Sequence, residues 1–382
     1  MFEFLTQELE FLKSIGLYRE LKTIEKIDGS KIIIAGRKLI NFCSNDYLGL
    51  SQHPKVKERT IEIIKEFGVG AGASRLISGN TIIHEELERK IAKFKKREAA
   101  IVFPTGYQAN LGVISCLVEE KDTVIIDRLN HASIIDACRL SKAQMQVYPH
   151  QDLMRLENIL QRSEKFRRRL IITDSVFSMD GDLAPLPEII KLAKKYQALV
   201  MIDEAHATGV IGKTGRGLEE FFNIEGQADI VMGTFSKALG SIGGFVCGSL
   251  ELITYLRNKA RSFIYTTALP AAICAAALAA LEIIENEPEL INQLWKNINK
   301  VNPSAQSAII PIIIGELNKT MEISTKFFEN GIFLSGIRPP TVPKNQCRLR
   351  LTITAAHTEN DLEHLRSLIR KLIKDFDLGS CN

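Results

Sequence analysis

Between residues 55 and 250 the chain alternates short, almost wholly apolar runs with longer amphipathic ones. The runs are 99–103, 123–127, 144–148, 170–174, 199–203 and 230–234, each five residues long, and all but 144–148, which has Gln at 144 and 146, are rich in Ile, Val and Leu. Runs of that length without polar alternation predict strands buried on both faces. Between several of them, segments such as 152–161 and 187–196 carry apolar residues at helical spacing. Strand and helix in alternation predict an α/β fold, a mostly parallel sheet with helices on both faces.

The pattern changes toward the C-terminus. Strand-like 308–314, 332–335 and 348–354 surround a helical 320–330 and lead into a final helix from Glu359, which predicts a smaller α+β domain. Near the N-terminus, 31–34 and 38–42 read as strands that pack beside one of these bodies. The expected division is an N-terminal segment 1–50, a large α/β domain 51–285 and a small domain 286–382. The most apolar stretch, 268–281, is alanine-rich, contains Pro270 and reads as a buried helix too short to span a bilayer.

Composition changes this picture little. A chain of 382 residues with 45% hydrophobic and 25% charged residues has an ordinary globular balance and buries a large core without staples. The net charge of +4 comes without a long basic run, so no nucleic-acid or membrane partner is expected. Arg167–Arg169 is the densest cluster and reads as a solvated loop. The seven cysteines, at 43, 116, 138, 247, 274, 347 and 381, have no C-x-x-C spacing, so no metal site is expected. Scattered thiols and an N-terminus with no signal-peptide pattern predict the cytoplasm.

In open α/β sheets ligands bind beyond the carboxyl ends of the strands. Five predicted strand ends carry reactive groups: Gly106 and Tyr107 after 99–103, His131 after 123–127, Ser178 after 170–174, Asp203 and His206 at and after 199–203, and Thr234 and Lys237 at and after 230–234. Pyridoxal phosphate needs a lysine for a Schiff base, a carboxylate for the pyridine nitrogen, a flat group over the ring and a helix N-terminus for the phosphate. Lys237, Asp203, His131 and the Gly106–Tyr107 turn offer those four. Each has a plainer explanation alone: a solvated lysine, a turn aspartate, a structural histidine. Only their joint placement carries weight. Asp203-Glu204-Ala205-His206 and Gly212-Lys213-Thr214 imitate a nucleotide motor, but Ala207 stands where a phosphate loop needs glycine, and the order is reversed.

Five motifs then mark a family: Asn45-Asp46-Tyr47-Leu48-Gly49-Leu50, Gly70-Ala71-Gly72-Ala73-Ser74-Arg75, Asp174-Ser175-Val176-Phe177-Ser178-Met179-Asp180-Gly181-Asp182, Asp203-Glu204-Ala205-His206-Ala207-Thr208-Gly209, and Thr234-Phe235-Ser236-Lys237-Ala238-Leu239-Gly240. From about Gly16 to Ile373 the chain resembles the α-oxoamine synthases, within the fold-type I pyridoxal-phosphate enzymes. The resemblance implies decarboxylative joining of an amino acid to an acyl thioester. It implies Lys237, His131 and Asp203 as catalytic residues. Gly106, Tyr107, Ser178, His206 and Thr234 would contact the cofactor, and Thr266 or Thr267 would reach the phosphate of a partner subunit in a homodimer with shared sites. Arg19, Asn45, His131, Thr341 and Arg350 would bind substrates. The segment 337–343, followed by Arg348-Leu349-Arg350-Leu351-Thr352, looks most like members that use L-alanine and a pimeloyl thioester in biotin biosynthesis. The alternatives are a sister that joins glycine to acetyl-coenzyme A and a non-catalytic scaffold subunit.

Overall fold

The structure, a computed structural model, describes residues 2–376, so Cys381 lies outside the described residues. The backbone divides into two units. One comprises Asp46–Ser178 and Asp182–Gln293; the other comprises the chain up to Asn45, Met179–Gly181 and the chain from Leu294 onward.

The first unit is built on a seven-stranded sheet. Its order is Ala99–Phe103, Gly244–Gly248, Ile230–Thr234, Leu199–Asp203, Arg169–Asp174, Thr123–Asp127 and Gln144–Tyr148. The last five run parallel to one another. Gly244–Gly248 is antiparallel to both of its neighbours. The sequence pattern did not identify this strand: Gly-Phe-Val-Cys-Gly is buried at every position and bracketed by glycine, so it carries neither alternation nor length. The six predicted strands all form, one of them a residue longer than expected, at Arg169.

Helices cover the strands because their apolar stripes have nowhere else to go. Gly106–Leu117 and Ala132–Ser141 pack against each other over a core that includes Ile101, Phe103, Val113, Ile114, Val124 and Ile126, all essentially inaccessible to water. Each such side chain contributes roughly 1.5–3 kcal/mol by burial. The alanine-rich helix runs Ala271–Asn286 and packs on Pro54–Phe67 and Ile82–Phe94, its small side chains permitting the contact. It starts later than the apolar stretch suggested because Pro270 serves as its N-cap, leaving 268–270 outside.

The reading of Arg167–Arg169 as a solvated loop holds for Arg167 and Arg168, which are exposed and outside any helix or strand, and fails only for Arg169, which is half-buried at the start of a strand. Arg167 forks onto fully buried Asp122 at 2.8–3.0 Å, Arg168 donates to the Leu117 carbonyl at 3.0 Å, and Arg169 opens a strand. The cluster ties the N-terminal ends of two neighbouring strands together.

In the second unit an antiparallel sheet has the order Ile309–Gly315, Cys347–Thr352, Gly336–Ile337, and a four-stranded sheet has the order Lys26–Asp28, Lys31–Ile34, Arg37–Asn41, Ile332–Phe333. Arg37–Asn41 pairs in parallel with Ile332–Phe333, so the N-terminal segment is part of this unit rather than a separate body. The division falls after 45 and after 293, where the sequence suggested 50 and 285.

Candidate active site

The strand ends of the first unit converge on a cavity of about 230 Å³ lined by Gly106, Tyr107, Asn110, His131, Ser133, Asp174, Ser178, Asp203, His206, Thr234, Ser236 and Lys237, with four further residues. Parallel strands put all their carboxyl ends on one edge, which is why residues as far apart as Thr105 and Lys237 meet here. A larger space of about 680 Å³ lies along Ile82–Phe94, but its Arg75, Glu88 and Arg97 are already engaged in ion pairs, Arg75 with Glu88 and Arg97 with Glu219.

Asp203 ends its strand almost fully buried. Its Oδ1 accepts from the Ala205 backbone N–H at 2.9 Å and its Oδ2 from Asn110 Nδ2 at 2.9 Å. Two donors stabilise the ionised form and aim it. Asn110 also donates to Ser133 Oγ at 2.8 Å, and Ser133 lies 2.8 Å from His131 Nδ1. His131 is the N-cap of Ala132–Ser141, with its backbone N–H on Asp174 Oδ2 at 3.2 Å. Its ring is reached from solvent through the cavity. Protein packed around it, and then the Lys237 charge, hold its basicity below the ordinary histidine range against the pull of Asp203.

Lys237 is half-buried three residues beyond its strand, its Nζ 2.9 Å from His206 Nε2. His206 Nδ1 is 2.6 Å from the Tyr47 hydroxyl, and both of these side chains are buried. Ser178 lines the same cavity.

At the other end of the cavity the helix Gly106–Leu117 begins, with Thr105 as its N-cap accepting from Gln108 N at 3.1 Å. The first N–H groups of a helix have no partner within it and face an anion favourably. The approach depends on glycine: a Cβ at Gly244 would lie 2.6 Å from the Thr105 carbonyl and 2.7 Å from Gly106 Cα. Thr234 Oγ1 and Ser236 Oγ stand 2.8 Å apart beside this turn. The Tyr107 ring is partly exposed, and its hydroxyl hydrogen-bonds to Asp136, which raises the phenol's pKa.

The residues present fit pyridoxal phosphate. One end supplies N–H and hydroxyl donors for a phosphate, the other an oriented carboxylate and an amine. Asn110 Oδ1 and Asp174 Oδ1 are buried at the wall with no hydrogen-bond partner, as expected where a polar ligand completes the shell.

Thr266, expected to reach a partner subunit, accepts from Gln108 Nε2 of its own chain at 3.3 Å, and Thr267 is exposed. The substrate candidates Arg19, Asn45, Thr341 and Arg350 all belong to the second unit. Arg350 donates to Asn45 Oδ1 at 3.1 Å and to Thr352 Oγ1 at 3.0 Å. Arg19 reaches Thr341 Oγ1 at 3.4 Å. Two pairs separated by more than 300 residues are thus brought together.

Sequence reasoning missed Tyr47, Asn110, Ser133, Asp174 and Ser236. Asn110 was legible in principle, since it lies one helical turn after Gly106 and so on the same face. Tyr47 and Asp174 sat inside the quoted motifs. The motor-like motifs have structural work instead. Glu204 is buried against Lys95 at 3.4 Å, and Thr214 is held by Glu220 at 2.7 Å.

Known proteins are similar to the chain over nearly its whole length. The family profile "Aminotransferase class I and II" matches residues 37–369. The chain is 47% identical to the 8-amino-7-oxononanoate synthase of Thermoanaerobacter pseudethanolicus, covering 98% of each chain. It is 45% identical to that of Symbiobacterium thermophilum, covering 98% of this chain and 99% of that one. Among solved structures it is similar to a serine palmitoyltransferase from S. paucimobilis with a bound PLP–myriocin aldimine, at a TM-score of 0.94 and 30% identity over 98% of each chain.

Proposed function

We propose, for a chain that belongs to the aminotransferase class I and II family, the activity of an 8-amino-7-oxononanoate synthase: decarboxylative condensation of L-alanine with a pimeloyl thioester. The observation that carries it is the gathering of Lys237 Nζ, His206 and the doubly hydrogen-bonded Asp203 on one cavity. The alanine and pimeloyl assignment is supported by likeness to synthases of that name over nearly the whole chain.

The cofactor is pyridoxal phosphate, which when bound supplies a ring that delocalises the electron pair left on an amino acid's α-carbon. Lys237 would hold it, with the Gly106 and Tyr107 turn and Thr234 at its phosphate, and with His131, Ser178 and His206 around the ring. Asp203, aimed by its two donors, would face the ring nitrogen from the cavity wall. Lys237 Nζ takes the α-proton once neutral, and a nearby positive charge or burial favours that neutral form. His206 contributes a hydrogen bond to Nζ whichever way the proton lies, because each of its ring nitrogens has a partner.

Arg350 and Asn45 bind the amino-acid carboxylate; a guanidinium held by Asn45 and Thr352 is oriented for such a group. Arg19 and Thr341 bind the distal carboxylate of the acyl chain, an assignment supported by their hydrogen bond to each other. A carbon–carbon bond forms between the alanine α-carbon and the thioester carbonyl, the carbon–sulfur bond breaks and releases the thiol, and carbon dioxide leaves before a proton returns to the α-carbon.

We read the chain as a homodimer in which Thr266 or Thr267 of one copy reaches the phosphate of the other. Support comes from exposed Val69, Ile77 and Tyr265, on two segments tied by the Ala268 N–H to the Ala73 carbonyl at 3.0 Å. Among the described residues six cysteines are free, which supports a reducing compartment, the cytoplasm. Among the described residues no helix is long and apolar enough to cross a membrane.

The test is thiol release by the purified protein with added cofactor. L-Alanine with pimeloyl-coenzyme A is expected to release coenzyme A; glycine with acetyl-coenzyme A is not. Release only from the second pair would reassign the substrates, and a colourless, inactive protein would point to a scaffold subunit. Lys237→Ala is expected to abolish turnover, and turnover retained in that variant would overturn the mechanism.

A further inference from the structure

Asp174 and Asp203 are direct partners across neighbouring parallel strands, and both carboxyl groups line the cavity. Both are buried. Two ionised carboxylates so placed would repel each other with little water to screen them, so one of the pair is expected to keep its proton. The hydrogen bonds differ between them in a way that decides which.

Asp203 receives one donor on each oxygen, from Ala205 N and Asn110 Nδ2. Asp174 receives one donor only, the His131 backbone N–H on Oδ2, while its Oδ1 is buried without a partner. An anion at Asp174 would leave a charged oxygen bare, whereas a carboxylic acid accepts through its carbonyl oxygen and keeps an O–H on the other. The remaining groups facing Asp174 do not reverse this. Lys237 favours its ionisation, Asp127 opposes it along with Asp203, Tyr148 is neutral, and burial outweighs the lysine, raising the acid well above the usual carboxylate range.

We propose that Asp174 is held as a neutral carboxylic acid beside ionised Asp203, positioning His131 through its carbonyl oxygen and leaving its hydroxyl as a donor at the cavity wall. Asp203 then carries the one negative charge of the pair, where a protonated ring nitrogen needs it. This deepens, and rests on, the reading of the cavity as a pyridoxal-phosphate site. Asp174 is a positioning residue and takes no part in bond making.

The discriminating readout is the infrared C=O stretch of a protonated carboxyl group, recorded on the holoenzyme at neutral pH as wild type minus Asp174→Asn. A band present in wild type and lost in Asp174→Asn is expected, because asparagine keeps the shape, the acceptor for His131 N and a donor, but not the acid. With Asp203→Asn the band should be lost at a lower pH than in wild type, since the neighbouring negative charge that opposes ionisation is gone. Absence of the band, its survival in Asp174→Asn, or its persistence to a higher pH in Asp203→Asn would each overturn the proposal. The infrared result does not depend on which substrates the enzyme uses, so failure of the substrate assignment is read separately, in the thiol-release assay.

Discussion

Tyr47 Oη lies 2.6 Å from His206 Nδ1, and the other nitrogen of that ring lies 2.9 Å from Lys237 Nζ. The three groups share protons in one line. A charged lysine donates to Nε2, which leaves Nδ1–H to donate to the tyrosine oxygen. A neutral lysine accepts from Nε2–H, and the tyrosine hydroxyl then donates to Nδ1. Tyr47 can serve either tautomer because a hydroxyl both donates and accepts. Phenylalanine can serve neither. Tyr47→Phe is expected to slow turnover about tenfold and to move the pH–rate profile, with cofactor content preserved. The buried Nδ1 left unpartnered should also lower stability by about 1–3 kcal/mol, read as a drop in Tm. An unchanged pH profile would remove Tyr47 from the relay.

Asp203→Asn keeps the size of the side chain and loses its charge. The variant is expected to bind cofactor, seen in its visible absorbance, and to lose on the order of 100-fold or more in thiol release. Asn110→Ala leaves Asp203 Oδ2 one donor short and should lower activity less than Asp203→Asn does. A near-normal rate in Asp203→Asn would refute the assigned role.

His150 bridges two carboxylates, with Nδ1 3.0 Å from Asp127 Oδ1 and Nε2 2.7 Å from Asp182 Oδ2, and stands edge-on to Phe177. Partial burial works against its charge, but its hydrogen bonds to both aspartates outweigh that and push its pKa up to about 10. The folded pKa lies above the unfolded value of about 6.5, so the stabilisation is fully present below that pH and is lost as pH rises through about 10. Thermal unfolding measured from pH 6 to 10.5 should show wild type losing an advantage that His150→Gln never has. Parallel pH curves for the two proteins would exclude the bridge.

Gly217 has φ of +112°, and a Cβ built on it would lie 1.6 Å from Glu204 Oε2. Glu204 cannot yield easily, because it is paired with Lys95 in the interior and accepts from the Leu218 N–H at 2.8 Å. Gly217→Ala therefore combines a strained backbone with displacement of a buried ion pair and is expected to cost more than about 3 kcal/mol. Loss of soluble protein or a large fall in Tm would show it. A Tm within a degree or two of wild type would mean that the loop relaxes freely.

The central strands were legible because a β-strand buried on both faces has a simple signature: about five consecutive apolar residues between polar turns. Strand Gly244–Gly248 lacked that signature, and so did the short pairing of Arg37–Asn41 with Ile332–Phe333, since two residues of β-structure leave no periodic trace. The same limit moved the domain boundary. Which body an N-terminal segment joins depends on a partner nearly 300 residues away, and local pattern carries no information about it.

Local order along the chain determined the cast of the site. Lys237, Asp203, His131, His206 and the Gly106 turn each follow or end a run that must be a strand, so their gathering at one sheet edge followed from the α/β alternation itself. Only the tertiary structure decided how they act. That Asn110 and Ala205 share the two oxygens of Asp203, that Tyr47 completes His206, and that Asp174 is left with one donor beside the Asp203 strand end are facts of distances between elements remote in sequence. Hydrogen bonds and the energy of a buried charge change within an ångström or two, whereas hydrophobic periodicity sets only which face of an element turns inward.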